Sequence, residues 1–380
     1  MKHILLIVGG DFHRTSGVEN YNLLLLNILK ENYKNYNVDI MLLNCDQKPE
    51  KLDFVNVNFV YFKIKKNKPF RMVNLFTNWL NLIIERIALK KIINNYDLIV
   101  DSSLTNFSCV KSYSNYYLVQ HFNLDYYDLH LDSSEFGVKK IIRYIWRWFN
   151  GTLNFLNKIS NFVVFDDLNK EIVNKACPSL KVFPIALPSK IGSISQDKLS
   201  FDKNRIIFLG RLSRQKNIPV LMKLNESLNL IDFYGSPFGD RGEYYKNCLL
   251  KKGWYKGNIS NNKDLIATLQ KYKFMILDSK FEGFPFSLVE ALSQGLPLIV
   301  KDTFLSASFL CNQKTGLILP KNTTINEDIK LINNFILIQD EQYHQYQINC
   351  VDFYNQNLKF DIFARKWKTI FDEYLEKIVL

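Results

Sequence analysis

The stretch RIIFLGRLSRQKN, Arg205 to Asn217, decides the fold of this chain. The apolar run Arg205 to Leu209 reads as a buried β-strand, Gly210 ends it, and the polar loop that follows leads into a helix. Strand, loop and helix in that order place Arg211 and Lys216 at the carboxyl edge of a parallel sheet, where open α/β sheets bind their ligands. A guanidinium forks onto two oxygens and an ammonium acts as a point charge, so the two cations suit a diphosphate.

A second stretch, SKFEGFPFSLVEA from Ser279 to Ala291, also follows a strand and is succeeded by Gly295-Leu296-Pro297. Gly283 and Pro285 keep the loop from being helical, and Ser287 is the predicted N-cap of the helix that carries Glu290. The start of that helix offers free N–H groups and a positive dipole end to an anion. A glycosidase would need its two carboxylates roughly 5 to 9.5 Å apart, whereas eight residues of helix put Glu282 and Glu290 about 12 Å apart. A division of labour fits better, with Glu282 on a sugar and Glu290 on ribose hydroxyls.

Working outward, short apolar runs alternate with helical patterns. Before the middle of the chain they are Ile4 to Val8 (ending in Gly9-Gly10), Val38 to Leu43, Leu98 to Val100, Tyr117 to Gln120 and Phe162 to Phe165, with helical stretches such as VENYNLLLLNILKENY and Asn74 to Ile93 between them. After it they are Arg205 to Leu209, Leu230 to Tyr234, Trp254 to Lys256, Phe274 to Asp278 and Leu298 to Val300. Such alternation predicts two parallel, doubly wound sheets. Periodicity lapses from Cys177 to Lys203, around Pro178, Pro184 and Pro188, which predicts an interdomain linker. The expected division is 1–185, 186–360, and a C-terminal amphipathic helix over 361–380, FARKWKTIFDEYLEKIVL included; packing back on the first domain is one option for it, and the pattern alone does not choose between the two domains.

At 380 residues the chain is long enough for two ordinary cores. Lys and Arg outnumber Asp and Glu by 49 to 37, and the net charge of +12 favours phosphorylated ligands, anionic lipid or nucleic acid. The six cysteines are scattered singly, which argues against a disulfide framework or structural zinc. The run Ile4 to Val8 is too short for a signal-peptide core, and no stretch reaches the roughly 20 apolar residues of a membrane span.

The two motifs, G-R-L-x-x-x-K-N and E-G-F-P-x-x-x-x-E-A with a following G-x-P, resemble the signature of the retaining glycosyltransferases of family 4. The likeness runs over about residues 205 to 320 and includes Tyr234-Gly235, Gly257-Asn258 and Thr315-Gly316-Leu317. It implies the GT-B fold, an α/β architecture of two facing Rossmann-like doubly wound domains with a cleft between them. The first domain would bind the acceptor and the second the nucleotide sugar. In the first domain Gly9-Gly10 and Ser16-Gly17-Val18-Glu19 resemble the family's glycine-rich loop and the G-x-E start of its first long helix, although the intervening DFHRT departs in length and basic content.

Carried over by position, the resemblance makes Arg211 and Lys216 the diphosphate ligands and Glu290 the ribose ligand, with Glu282 facing the reacting sugar. Backbone N–H groups of Gly283 to Phe286 would hold sugar hydroxyls, and Gly283, Phe284, Pro285, Phe286 and Leu288 count among the donor-binding residues. Tyr234 and the Gly257-Asn258 turn would lie near the base, and Gly10 and Gly17 would approach the donor. His121, in YLVQHFN, matches the family's functional histidine. The implied reaction transfers a hexose or N-acetylhexosamine from a nucleoside-diphosphate sugar, by default a UDP-sugar, to a cell-envelope glycan, lipid-linked or protein-linked acceptor, with retention. It implies no cofactor and no metal, the cations doing a metal's work on the leaving group.

A sugar-nucleotide epimerase of the same fold, a phosphorylase of similar architecture and a basic nucleic-acid-binding protein are the competing readings. No zinc module, RNP-like motif or basic-aromatic repeat supports the last, and no nucleic-acid partner is expected. One further segment, VKKIIRYIWRWFNGTLNFLNK from Val138 to Lys158, sorts on a helical template into a cationic stripe and an apolar one. Lys139, Lys140, Arg143 and Arg147 would dock it on an anionic membrane surface, so the expected location is cytoplasmic, peripheral to the inner face of the cell membrane.

Overall fold

The computed structural model describes residues 2–9, 17–33, 36–43, 57–62, 91–103, 114–121, 159–199 and 204–375. The chain divides into two compact units, Met1–Ile185 with Ala364–Leu380, and Ala186–Phe363.

The first unit is built on a seven-stranded sheet of order β3-β2-β1-β4-β5-β6-β7. Its strands are β1 (His3–Gly9), β2 (Asn37–Leu43), β3 (Val57–Phe62), β4 (Leu98–Ser102), β5 (Tyr116–Val119), β6 (Asn161–Val164) and β7 (Lys181–Pro184). Every pairing is parallel. The strands β4, β5 and β6 are buried along their whole length, as strands covered on both faces are, polar Asp101, Ser102 and Asn161 included. Helix α1 (Gly17–Asn32) follows β1, and α2 (Asp167–Ala176) follows β6 with Asp166 as its N-cap, accepting from the Asn169 amide. The last described helix, α10 (Phe360–Leu375), contains the boundary at Phe363/Ala364 and contributes its second half to this unit. There Trp367 is buried, with its ring 6.4 Å from that of Tyr21, and Tyr33 meets Phe371 edge-on at 5.4 Å. Lys2 Nζ donates to the Tyr374 carbonyl (2.9 Å) and Lys366 Nζ to that of Pro184 (2.6 Å).

The second unit carries a six-stranded parallel sheet of order β10-β9-β8-β11-β12-β13. The chain runs β8 (Ile206–Leu209), α3 (Ile218–Leu228), β9 (Ile231–Tyr234), α4 (Gly242–Lys251), β10 (Tyr255–Gly257), α5 (Asn262–Leu269) and β11 (Phe274–Leu277). It continues through α6 (Phe286–Ser293), β12 (Leu298–Lys301), α7 (Ser306–Leu310), β13 (Gly316–Leu319), α8 (Ile325–Ile336) and α9 (Asp340–Asn357). Two Rossmann-like parallel sheets in one chain is the observed fold class. In the second sheet the strand order reverses between β8 and β11, which are hydrogen-bonded neighbours with Phe274 opposite Ile206. The two loops that leave these strands therefore emerge side by side at a topological switch point.

Three strands escaped the sequence: β3, β7 and β13. β7 lies at the sheet edge, where its closing proline loses no ladder bond. β10 sits one residue later than expected, at Tyr255–Gly257. The predicted linker also needs correction, because its first part is β7 and its later part is anchored. Leu187, Ile191 and Ile194 are buried, the Ile194 amide donates to the Ser293 carbonyl (2.8 Å), and Gln294 Nε2 donates to the Gly192 carbonyl (2.7 Å).

Candidate functional site

The loop after β8, residues 210–217, is stitched to the loop after β9, residues 235–241. The Gly210 amide donates to the Tyr234 carbonyl (3.1 Å), the Leu212 amide to Ser236 (2.8 Å), and the Phe238 amide back to Leu212 (3.1 Å). Gly235 makes the close approach possible: at φ +140 a Cβ on it would lie 1.9 Å from the Gly210 carbonyl oxygen. The exposed salt bridge Arg214–Asp240 (2.7 Å) closes the outer end.

This stitching sets the two cations apart in environment. Arg211 is exposed and lies with its guanidinium carbon 4.3 Å from the ring centroid of Phe238, itself an exposed aromatic. Lys216 is buried, and its Nζ sits 2.7 Å from Glu282 Oε1 with both side chains about a tenth exposed. The sequence placed Lys216 on a diphosphate and Glu282 on a sugar as separate tasks; in the structure the two form one buried ion pair across the switch point. Phe238 was missed because an aromatic in a Gly/Pro/Asp-rich loop carries no periodic signal.

The Glu282 loop is held through its carbonyls. The Lys280 amide donates to the Gln215 carbonyl (2.8 Å) and Gln215 Nε2 to the Phe281 carbonyl (3.0 Å). Ser306 Oγ donates to the Gly283 carbonyl (3.1 Å), and Thr303 Oγ1 to that of Ser279. Among the described residues no acceptor meets the amides of Glu282 and Gly283. Helix α6 begins at Phe286 with Pro285 in the N-cap position, which corrects the predicted cap: Ser287 is the second helical residue. Proline there leaves the first helical N–H groups without a side-chain cap. Phe284, Pro285 and Leu288 are buried, and Leu288 is fully enclosed, so toward a ligand they offer backbone alone. The helix ends at Gly295 in the left-handed region (φ +67), with the Leu296 amide returning to the Ala291 carbonyl (3.0 Å), a turn that explains the glycine of G-x-P.

Glu290 lies on α6. Burial pushes its carboxyl up to about 7, against the opposing field of Lys190. Among the described residues its carboxylate accepts no hydrogen bond. Asp278, just past β11, is raised by burial to about 6, with a hydrogen bond from Asn217 acting the other way. Asn217 occupies the left-handed region (φ 51) at the start of α3. At the far side of the sheet Gly257 (φ +118) accepts the Gly235 amide through its carbonyl (2.9 Å), and Asn258 is exposed. The Tyr234 hydroxyl lies 3.2 Å from that of Tyr272, which reaches Asp232 at 3.0 Å, so this side chain serves the sheet edge.

In the first unit His121 stands just past β5, its ring edge-on to Tyr21 at 5.1 Å and 6.1 Å from Phe165. Burial lowers its pKa to about 3, which makes it a neutral imidazole at ordinary pH. Gly17 opens α1, and Glu19 in its first turn is buried. Gly10 and the cations Lys139, Lys140, Arg143 and Arg147 lie outside the described residues. Among the described residues no cluster of three His, Cys, Asp or Glu side chains could hold a metal ion, and no helix is long and apolar enough to cross a membrane.

Residues 193–349 match the family model described as glycosyl transferases group 1, a span containing both motifs. Over 240 residues the chain is 22% identical to the UDP-N-acetylglucosamine–peptide N-acetylglucosaminyltransferase GtfA subunit of Limosilactobacillus reuteri subsp. suis, covering 57% of this chain and 44% of that one. The chain thus spans under half the length of that relative. Among solved structures, sucrose-phosphate synthase from Thermosynechococcus elongatus superposes with a TM-score of 0.73 at 15% identity, covering 98% of this chain and 99% of the other. The pneumococcal O-GlcNAc transferase GtfA in complex with UDP and GlcNAc gives a TM-score of 0.53 at 17% identity, covering 77% and 60%. These likenesses are to proteins of the GT-B fold.

Proposed function

We propose that this chain is a retaining glycosyltransferase of family 4 that moves a hexose or N-acetylhexosamine from a UDP-sugar to a cell-envelope glycan, lipid-linked or protein-linked acceptor. The observation that carries this reading is the Lys216–Glu282 pair at the β8/β11 switch point, flanked by Arg211 and by the Glu282 and Gly283 amides. Cations, a carboxylate and unengaged amides together suit the charge and hydroxyls of a sugar diphosphate. The match of residues 193–349 to the group 1 model supports the reaction class. The name and bound ligands of the GtfA relatives favour a UDP-linked N-acetylhexosamine.

In the reaction the bond from the sugar C1 to the β-phosphate oxygen breaks and its electron pair stays with the diphosphate. The acceptor oxygen bonds to C1 and loses its proton. Arg211 and Lys216 neutralise the charge that develops on the leaving oxygens, which is worth most where water is excluded. Glu282 addresses the sugar, Glu290 the ribose, and the neutral imidazole of His121 exchanges hydrogen bonds rather than charge. No metal enters this scheme. Lys139, Lys140, Arg143 and Arg147 would hold the enzyme on an anionic membrane surface facing the cytoplasm.

The test is donor consumption across UDP-, GDP- and ADP-sugars in excess EDTA, followed by NMR of the product. The expected outcome is turnover of a UDP-sugar without metal and with the anomeric configuration kept. No donor consumed, or an inverted product, overturns the proposal.

A further inference from the structure

We propose that Gln215, at a variable position of the first motif, and Thr303 and Ser306, outside both motifs, are positioning residues that fix the Glu282 loop for the donor sugar; the inference rests on the donor-site reading above. The three come from different segments, the β8–α3 loop, the β12–α7 loop and the start of α7. Each donates to a carbonyl of one short loop, and the carbonyls alternate: Thr303 Oγ1 to Ser279, Gln215 Nε2 to Phe281 at 3.0 Å, Ser306 Oγ to Gly283 at 3.1 Å. Peptide units are planar and all are trans in the described chain, so a C=O and the N–H of the next residue point opposite ways. Anchoring the Phe281 carbonyl therefore sets the direction of the Glu282 N–H, and anchoring the Gly283 carbonyl sets that of Phe284. Anchoring Ser279 sets the Lys280 N–H, which meets the Gln215 carbonyl at 2.8 Å.

The arrangement does for the backbone what the Lys216 ion pair does for the Glu282 side chain. Three donors turn the loop carbonyls, which a sugar hydroxyl or a developing anion would find repulsive or indifferent, into the protein. The Glu282 amide is left facing the other way with no described acceptor. A loop so fixed costs no reorganisation when charge develops on the sugar. Gln215 reaches further, since its Oε1 lies 3.5 Å from Arg211 Nη2 and its neighbour Lys216 holds Glu282.

The experiment compares Gln215→Met, Thr303→Val and Ser306→Ala, which keep shape and remove the donor, with Thr303→Ser and Ser306→Thr, which keep the hydroxyl. Turnover of UDP-N-acetylglucosamine and the Kd for UDP alone are measured on the full chain, together with hydrogen exchange of the Lys280 amide without ligand. Each donor-less variant should lower kcat roughly tenfold, with the UDP Kd within about twofold of wild type and faster Lys280 exchange. The hydroxyl-keeping variants should recover most of both losses. Unchanged kcat and unchanged exchange in the donor-less variants overturn the proposal, as does equal damage from the hydroxyl-keeping pair, which would mean packing. A wild-type chain that neither binds UDP nor consumes the sugar nucleotide defeats the donor-site reading instead, and the exchange measurement then still decides whether the three side chains hold the loop.

Discussion

Among the described residues the second unit has two buried lysine–carboxylate pairs of the same length, and they are built differently. Lys301 and Asp328 lie 2.7 Å apart, and Lys301 Nζ also reaches Thr323 Oγ1 (2.7 Å) and the Thr323 carbonyl (3.3 Å). The other oxygen of Asp328 accepts from Thr323 Oγ1 at 2.5 Å. Lys216 and Glu282 are also 2.7 Å apart, yet among the described residues Lys216 Nζ has no second acceptor. An ammonium carries three N–H donors; Lys301 finds three acceptors, whereas Lys216 faces the Glu282 carboxylate alone, as an ion pair. A saturated pair closes a structural corner. A pair with donors to spare, beside unengaged amides, is poised for a ligand that brings its own oxygens.

The largest expected effects break each pair in turn. Asp328→Ala should cost about 3 to 5 kcal/mol of stability, because it leaves Lys301 charged and buried. Glu282→Gln keeps an acceptor in front of Lys216, so its loss of stability should be clearly smaller, while donor turnover falls roughly a hundredfold or more. Thermal unfolding and donor hydrolysis of both variants check this. Equal stability losses, or near-normal turnover in Glu282→Gln, would remove the distinction between the pairs.

A smaller effect is expected at Arg211, which no ion pair holds among the described residues and which rests on Phe238. Arg211→Ala should weaken UDP binding roughly tenfold, the scale of a charged hydrogen bond, and Arg211→Lys should recover only part because it loses the planar fork. Titration calorimetry at two salt concentrations is the check. Wild-type affinity in the Ala variant would leave Lys216 as the sole diphosphate cation.

How much of this was legible beforehand follows from where the information sits. Strands β8, β9 and β11 are short apolar runs closed by Gly or Asp, and period and punctuation suffice to find them. That the β8 and β11 loops lie together follows from the handedness and order of parallel sheets, so the juxtaposition of Lys216 and Glu282 was implicit once both were placed after strands. Their direct pairing was not, because residue type sets charge but not which charge lies within 3 Å. Phe238, Thr303 and Ser306 left no trace, since each acts through one contact with a backbone or guanidinium whose position only the fold determines. The Ser287 cap failed for a related reason: a serine is a good N-cap wherever the helix starts one residue later, and here Pro285 starts it earlier. β7 was hidden by a proline that an edge strand tolerates.

The smallest expected effect concerns Glu290, a third kind of carboxylate in this unit, half-buried, which no salt bridge holds among the described residues and which feels only the field of Lys190. Burial raises its carboxyl from an ordinary 4.5 to about 7. Ribose hydroxyls donate best to the ionised form, so affinity for UDP-N-acetylglucosamine should rise several-fold from pH 6 to pH 8 as the group ionises. The sugar nucleotide is the proper probe because, unlike UDP, it has no terminal phosphate titrating in that range. Stability should run the other way. The folded protein holds the proton more tightly than the unfolded chain, so the contribution is fully present below about 4.5 and is lost as pH rises through about 7. Glu290→Gln should flatten both profiles by the same pH interval, and subtracting its curves from wild type removes the parallel contribution of Asp278, also raised to about 6. An affinity profile that keeps its slope in Glu290→Gln would place the titrating group elsewhere, and a flat wild-type profile would mean that the ribose does not meet this carboxylate.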